Sequence, residues 1–176
     1  MGADFLKAFG DYAAISTFIF SIIGACIAWR TIVEQKKSDR RKAAVDFFLK
    51  AEMDGPMLDA FARYKAASAK LAAAFGNKTN LKAFMETPEY HHVRSYLNVD
   101  ELLAVGVRTG CFDEDVCYHY WSDSLIERFK ECEYLIKHLQ QQPDGVATYL
   151  ELTKLNALWS RKIEEYRRKN PPPRVA

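Results

Sequence analysis

The sequence predicts an all-α protein: one N-terminal transmembrane helix that extends into a cytosolic helical bundle. Three observations carry that expectation. Residues 12–29, YAAISTFIFSIIGACIAW, hold no charge and are bounded by Asp11 and Arg30. Beyond them, apolar residues return every three or four positions, and no alternating strand pattern competes. Gly, Pro, Asn and Asp fall between the periodic stretches, where helix ends are wanted.

As a helix, residues 12–29 would rise about 27 Å, close to the roughly 30 Å of hydrocarbon in a bilayer. Tyr12 and Trp29 stand at its ends, where amphipathic rings favour the headgroup level. Residues 1–11 carry Lys7 against Asp4 and Asp11, whereas residues 30–42 carry Arg30, Lys36, Lys37, Arg40, Arg41 and Lys42, diluted only by Glu34 and Asp39. This asymmetry predicts a short extracytoplasmic N-terminus and a cytoplasmic remainder, at the cell's inner membrane. The six cations form a membrane-surface set, drawn to anionic lipid headgroups at about 1 kcal/mol each, although orientation alone also explains them.

Rival readings of the run fit less well. A cleaved signal peptide wants a basic start and a shorter apolar core, and a buried core helix does not end in a basic cluster. Ile23-Gly24-Ala25-Cys26 resembles a lipobox but also lacks the basic start. Met1-Gly2 is followed by Leu6, where myristoylation prefers Ser or Thr. Within the run, Thr17, Ser21, Gly24 and Ala28 share one helix face. Small residues let backbones approach in lipid, so this face predicts self-association.

From Arg30 to Met53 there is no Gly or Pro, so the helix is expected to continue until Asp54-Gly55-Pro56 breaks it. Pro56 suits the first turn of a second helix, whose stripe is Met57, Leu58, Phe61, Tyr64, Ala67, Leu71 and Phe75, ended by Gly76-Asn77. Asn80–Glu86 reads as a short helix, and Thr87-Pro88 as the start of another. At residues 98–101, NVDE, a polar cap and a glutamate three positions later predict a fresh helix start; Gly110 predicts its left-handed end. Asp113 caps a helix over Glu114–Tyr120, and a longer one is expected over Ser122–Gln142. After the turn Pro143-Asp144-Gly145, the last helix spans Ala147–Lys169 and buries Leu150, Leu152, Leu155, Leu158, Trp159 and Ile163. Pro171-Pro172-Pro173 stops it. Residues 43–169 therefore form one cytosolic domain and residues 170–176 a Pro-rich tail.

Composition excludes several functions. The net charge of +2 is too small to predict a nucleic-acid partner. Cys26, Cys111, Cys117 and Cys132 are scattered without a Cys-x-x-Cys pair, and three would face a reducing cytosol, so neither disulfides nor a zinc site are expected. There is no phosphate-binding glycine loop, no Gly-x-Ser-x-Gly and no His-Glu-x-x-His, and no cofactor is expected. The clusters Tyr90-His91-His92 and Tyr118-His119-Tyr120-Trp121 read as helix-face packing with polar tips. Glu127, Arg128, Lys130, Glu131 and Glu133 read as a solvated helix face.

Residues 96–110, YLNVDELLAVGVRTG, followed by Asp113 and Tyr118–Trp121, resemble an uncharacterised bacterial and phage family, domain of unknown function 4760. Leu97, Asn98, Glu101, Ala104, Gly106, Val107, Gly110 and Asp113 match its core pattern, and residues 40–48, RRKAAVDFF, are similar to the start of its domain. The resemblance runs from about Arg30 to Arg161. It implies a membrane helix, a basic segment and a helical domain, and a link to phage defence or exclusion; it brings no known activity. Asn98, Glu101 and Asp113, with His119, are the candidate catalytic groups, but caps use the same residue types: Asn98 and Glu101 to start a helix, Gly106 for close packing, Gly110 and Asp113 for the turn.

The expected function is thus a membrane-anchored interaction or effector module that self-associates and meets a further, unidentified protein. An enzyme built on the Asn98–Asp113 region is the second reading, and a membrane-disrupting toxin component the third.

Overall fold

The computed structural model describes residues 2–74 and 78–170, with side chains described from Thr17 onward except at positions 78 and 79. The expected stop at Gly76-Asn77, the Phe75 stripe position, the Pro-rich tail beyond Asn170 and the side chains of Tyr12 to Ser16 lie outside the described residues. Six helices and, among the described residues, no strand make the chain all-α: α1 Gly2–Met53, α2 Gly55–Ala74, α3 Lys78–Met85, α4 Pro88–Arg108, α5 Glu114–Gln140 and α6 Leu150–Lys169. The chain divides into two compact units, Met1–Asp39 and Arg40–Ala176.

The first unit is helix throughout its described part. Thr17–Met53 contains a stretch long and apolar enough to cross a membrane, and none of that stretch is buried. A helix of this kind near an N-terminus meets the requirements of an anchor and of a signal sequence alike.

In the second unit α4 is the hub, packing on α2, α3, α5 and α6. Its buried face repeats every three or four residues through Tyr90, Val93, Tyr96, Leu97, Asp100, Leu103 and Ala104. That continuity overrides the helix start expected at Asn98. Tyr96 and Leu97 lead into Asp100 and Leu103 without a break in the buried face, and the capping-box residues sit a full ten positions inside one helix. The same physics merges the two helices expected over Glu114–Tyr120 and Ser122–Gln142. Cys117, Trp121, Leu125 and Arg128 form a single buried stripe, with no Gly or Pro to interrupt it.

Other ends fall where the sequence puts them. Only Asp54 separates α1 from α2, Thr87 and Pro88 open α4, and Asp113 caps α5 by accepting the Val116 N–H at 3.1 Å. Gly110 takes φ +70° at the end of α4, a conformation that suits glycine. A Cβ on Gly106 would collide with the Phe112 ring, so the close contact it permits is to the turn. The last helix starts later than expected, at Leu150, because Tyr149 adopts φ 55° and the chain before it is in turns. Leu152, Leu155 and Trp159 are buried as expected, but Leu150 is exposed. In α2, Leu58 and Phe61 are likewise exposed, where the stripe predicted burial.

Candidate functional site

The four residues singled out as possible catalytic groups are committed to two different sets of contacts. Asn98 accepts a hydrogen bond at Oδ1 from the Tyr149 hydroxyl, 3.1 Å away. The Glu101 carboxylate accepts the backbone N–H of Leu152 at 2.8 Å and of Glu151 at 3.3 Å. Those are first-turn amides of α6, which have no partner within their own helix. Glu101 is therefore a helix cap, as expected, but of α6 across the bundle and not of α4. Tyr149, whose backbone is left-handed, has no side-chain cap bond of its own. Burial pushes the Tyr149 phenol upward, which keeps it neutral and able to donate.

Asp113 and His119 line a shallow depression with Arg41, Asp115, Val116 and Tyr120. Both Asp113 oxygens are engaged, Oδ1 by the Val116 amide and Oδ2 by Arg41 Nε at 3.4 Å, while its own N–H donates to the Arg40 carbonyl. His119 is exposed and lies edge-on to the Tyr118 ring, 5.5 Å between centroids. Two of the six expected membrane-surface cations, Arg40 and Arg41, thus hold the α4–α5 turn; Arg30, Lys36, Lys37 and Lys42 are exposed on α1. Thr17, Ser21, Gly24 and Ala28 are all exposed; the Ser21 hydroxyl donates to the Thr17 carbonyl, and there is open space around Gly24. In the aromatic–imidazole clusters Tyr90 and Trp121 are buried and His92 and Tyr118 half-buried, whereas His91, His119 and, against the packing expectation, Tyr120 are exposed. Among the described residues no group of three or more His, Cys, Asp and Glu is placed to hold a metal.

Sequence reasoning missed the centre of the bundle. Asp100 and Arg128, 1% and 5% exposed, form an ion pair in which Arg128 Nε reaches Oδ2 at 2.9 Å and Nη2 reaches Oδ1 at 2.6 Å. This two-pronged geometry is the strong form of a charge-assisted bond. Trp121 Nε1 donates to the same carboxylate at 3.3 Å. The guanidinium lies against the rings of Trp121 and Tyr96, 5.1 Å and 5.3 Å from their centroids. Burial works against the Arg128 charge, but the bonds to Asp100 outweigh it and push the guanidinium above its ordinary value. So Arg128 does not belong to a solvated face; it lies in the apolar stripe of α5. The signal was present: Arg128 is three residues after Leu125 and four before Cys132, and Asp100 is three after Leu97 and three before Leu103. One charge in the stripe of each of two helices, opposite in sign, points to a buried pair.

Beside the pair, Tyr64 donates to Glu131 Oε2 at 2.5 Å, and burial raises its phenol. Burial also pushes the Cys132 and Cys117 thiols up to about 12. These are protonated, enclosed thiols, the reverse of activated nucleophiles.

Fold and site together define a class: an all-α protein with one apolar helix near the N-terminus and a helical bundle closed over a buried ion pair. The family model for a domain of unknown function, DUF4760, matches residues 18–159, and the chain belongs to that family. No curated protein and no solved structure matches it.

Proposed function

We propose that this chain is a single-pass membrane protein, anchored in the inner membrane by the first part of α1, with the helical domain in the cytoplasm serving as an interaction module. The observation that carries this reading is the exposure of the apolar stretch. Phe18, Phe20, Ile27 and Trp29 stand free of the chain's own core, and cations follow at once. Contiguous apolar surface of that extent marks a membrane or protein contact, and lipid suits an uncharged helix followed by basic residues. Self-association of α1 through Thr17, Ser21, Gly24 and Ala28 belongs to the same proposal. It is supported by the open space at Gly24. Anionic headgroups beside Arg30, Lys36, Lys37 and Lys42, a further protein partner for the domain, and a role in phage exclusion are narrower forms of it; the last rests on family resemblance alone.

The test is a reporter fused after Ala176, combined with alkaline extraction of membranes. A cytoplasmic reporter signal on a protein that resists extraction supports the reading. A periplasmic signal, or a mature chain lacking the apolar stretch, overturns it. Gly24→Leu with Ala28→Leu should weaken self-association in a membrane two-hybrid assay, and Ile19→Leu should not.

A further inference from the structure

A cleft of about 370 Å³ opens among the end of α1, α2, α4 and α5. Phe61, Tyr96, Tyr120 and Trp121 supply its aromatic walls, and Arg128 and Glu52 its charged groups. Its size falls in the lower part of the range of small-molecule sites, which runs from roughly 300 to 1,000 Å³.

The state of Arg128 says what the cleft is suited to hold. Nε and Nη2 are spent on Asp100, and the guanidinium is held against Tyr96 and Trp121. Nη1 has no hydrogen-bond partner among the described residues. It is also not sealed off, because the fully enclosed side-chain atoms without a partner are Asn156 Oδ1 and Trp159 Nε1. Arg128 is one of the residues that line the cleft. A rigid N–H donor therefore sits on an aromatic surface with no acceptor among the described residues. Such a donor gains more from an acceptor in a dry site than it would in water.

Charge narrows the ligand. Asp100 already neutralises Arg128, and Glu52 adds a negative charge at the cleft, so a full anion gains little there. Four aromatic rings favour a flat π-system. Nη1 asks for an acceptor such as a ring carbonyl, and the Glu52 carboxylate, an acceptor only, asks for an N–H. We propose that the cleft binds a planar, uncharged heterocycle carrying a carbonyl beside a ring N–H, the lactam edge found on some nucleobases. The carbonyl sits on Arg128 Nη1 and the N–H faces Glu52. This site is independent of the membrane reading.

The test is isothermal titration of the full-length protein, in lipid nanodiscs, with guanosine and uridine, which carry that edge, and with adenosine and benzoate, which do not. Guanosine or uridine should bind saturably, about tenfold or more tighter than adenosine, reflecting the loss of a charge-assisted bond. Ser124 is exposed and lines the cleft, so Ser124→Phe should abolish binding by filling the space, without lowering the melting temperature. Glu52→Gln should weaken binding of the lactam ligand about tenfold and leave the fold intact. The proposal is overturned if neither guanosine nor uridine binds at millimolar concentration, if adenosine or benzoate binds as tightly, or if Ser124→Phe binds as wild type does.

Discussion

Phe20, Ile27 and Trp29 in α1 are 72%, 63% and 71% exposed, whereas Asp100 and Arg128 in the bundle are 1% and 5% exposed. Each region keeps residues where water alone would not favour them, but the two are stabilised differently. The buried pair finds its compensation within the chain, in two short hydrogen bonds, an indole N–H and two aromatic faces. Among the described side chains nothing covers the exposed apolar stretch of α1; in the anchor reading proposed above, lipid supplies its apolar surrounding. The difference teaches where to look for function. Among the described residues, the fully enclosed polar side-chain atoms without a partner are Asn156 Oδ1 and Trp159 Nε1. The apolar stretch of α1 is wholly unburied, whereas Ala44, Phe48 and Ala51 farther along the same helix belong to the core.

The largest expected effect comes from breaking the pair. Arg128→Met should lower the unfolding free energy by about 3–5 kcal/mol, because it strands a carboxylate in a dry interior. Adding Asp100→Leu should recover most of that loss, since an apolar pair of similar volume needs no compensation. Urea unfolding followed by circular dichroism measures both. If the double variant is no more stable than Arg128→Met, the charge is not the cause.

Next in size is the converse change in α1. Ile22→Arg puts a charge in the middle of the apolar stretch, which costs about 2.5–3.5 kcal/mol on insertion scales. The protein should shift from the membrane to the soluble fraction while the melting temperature of the bundle stays unchanged. Retention of full membrane association would contradict the anchor reading.

A smaller effect separates a cap of α6 from a cap of α4. Glu101→Ala should destabilise by about 1 kcal/mol, and amide exchange should quicken at Glu151 and Leu152 in preference to the amides near Asn98. Exchange that quickens only around residues 98–101 would return the cap to α4.

The mildest test is pH. Burial raises the Cys117 and Cys132 thiols from 9.0 to about 12 and raises the Tyr64 phenol as well. The folded state thus holds these protons more tightly than the unfolded chain. Their contribution is complete below about 9 and is lost as the pH climbs towards 12. Melting temperatures should fall across that window, and at pH 8 a thiol reagent should label exposed Cys111 but leave Cys117 and Cys132 untouched. Fast labelling of all three would show that the bundle opens readily.

The sequence alone determined the all-α class, the long first helix to Met53, the break at Asp54, the start at Thr87-Pro88 and the turn between Gly110 and Asp113. Each depends on local forces: charge-free length, proline geometry, a left-handed glycine and a side chain bonding its own next turn. The tertiary structure alone decided the continuity of α4 and α5, the partner of Glu101 and the burial of Arg128. A capping box and a buried-side carboxylate look the same in sequence, because both place an acid a few residues from a polar group. Which backbone amides that acid meets depends on the helix packed opposite. For Glu101 those are the amides at the start of α6, some fifty residues away. For Arg128 the deciding neighbour is Asp100, on a different helix, whose approach turns a charge in an apolar stripe from a cost into a bond.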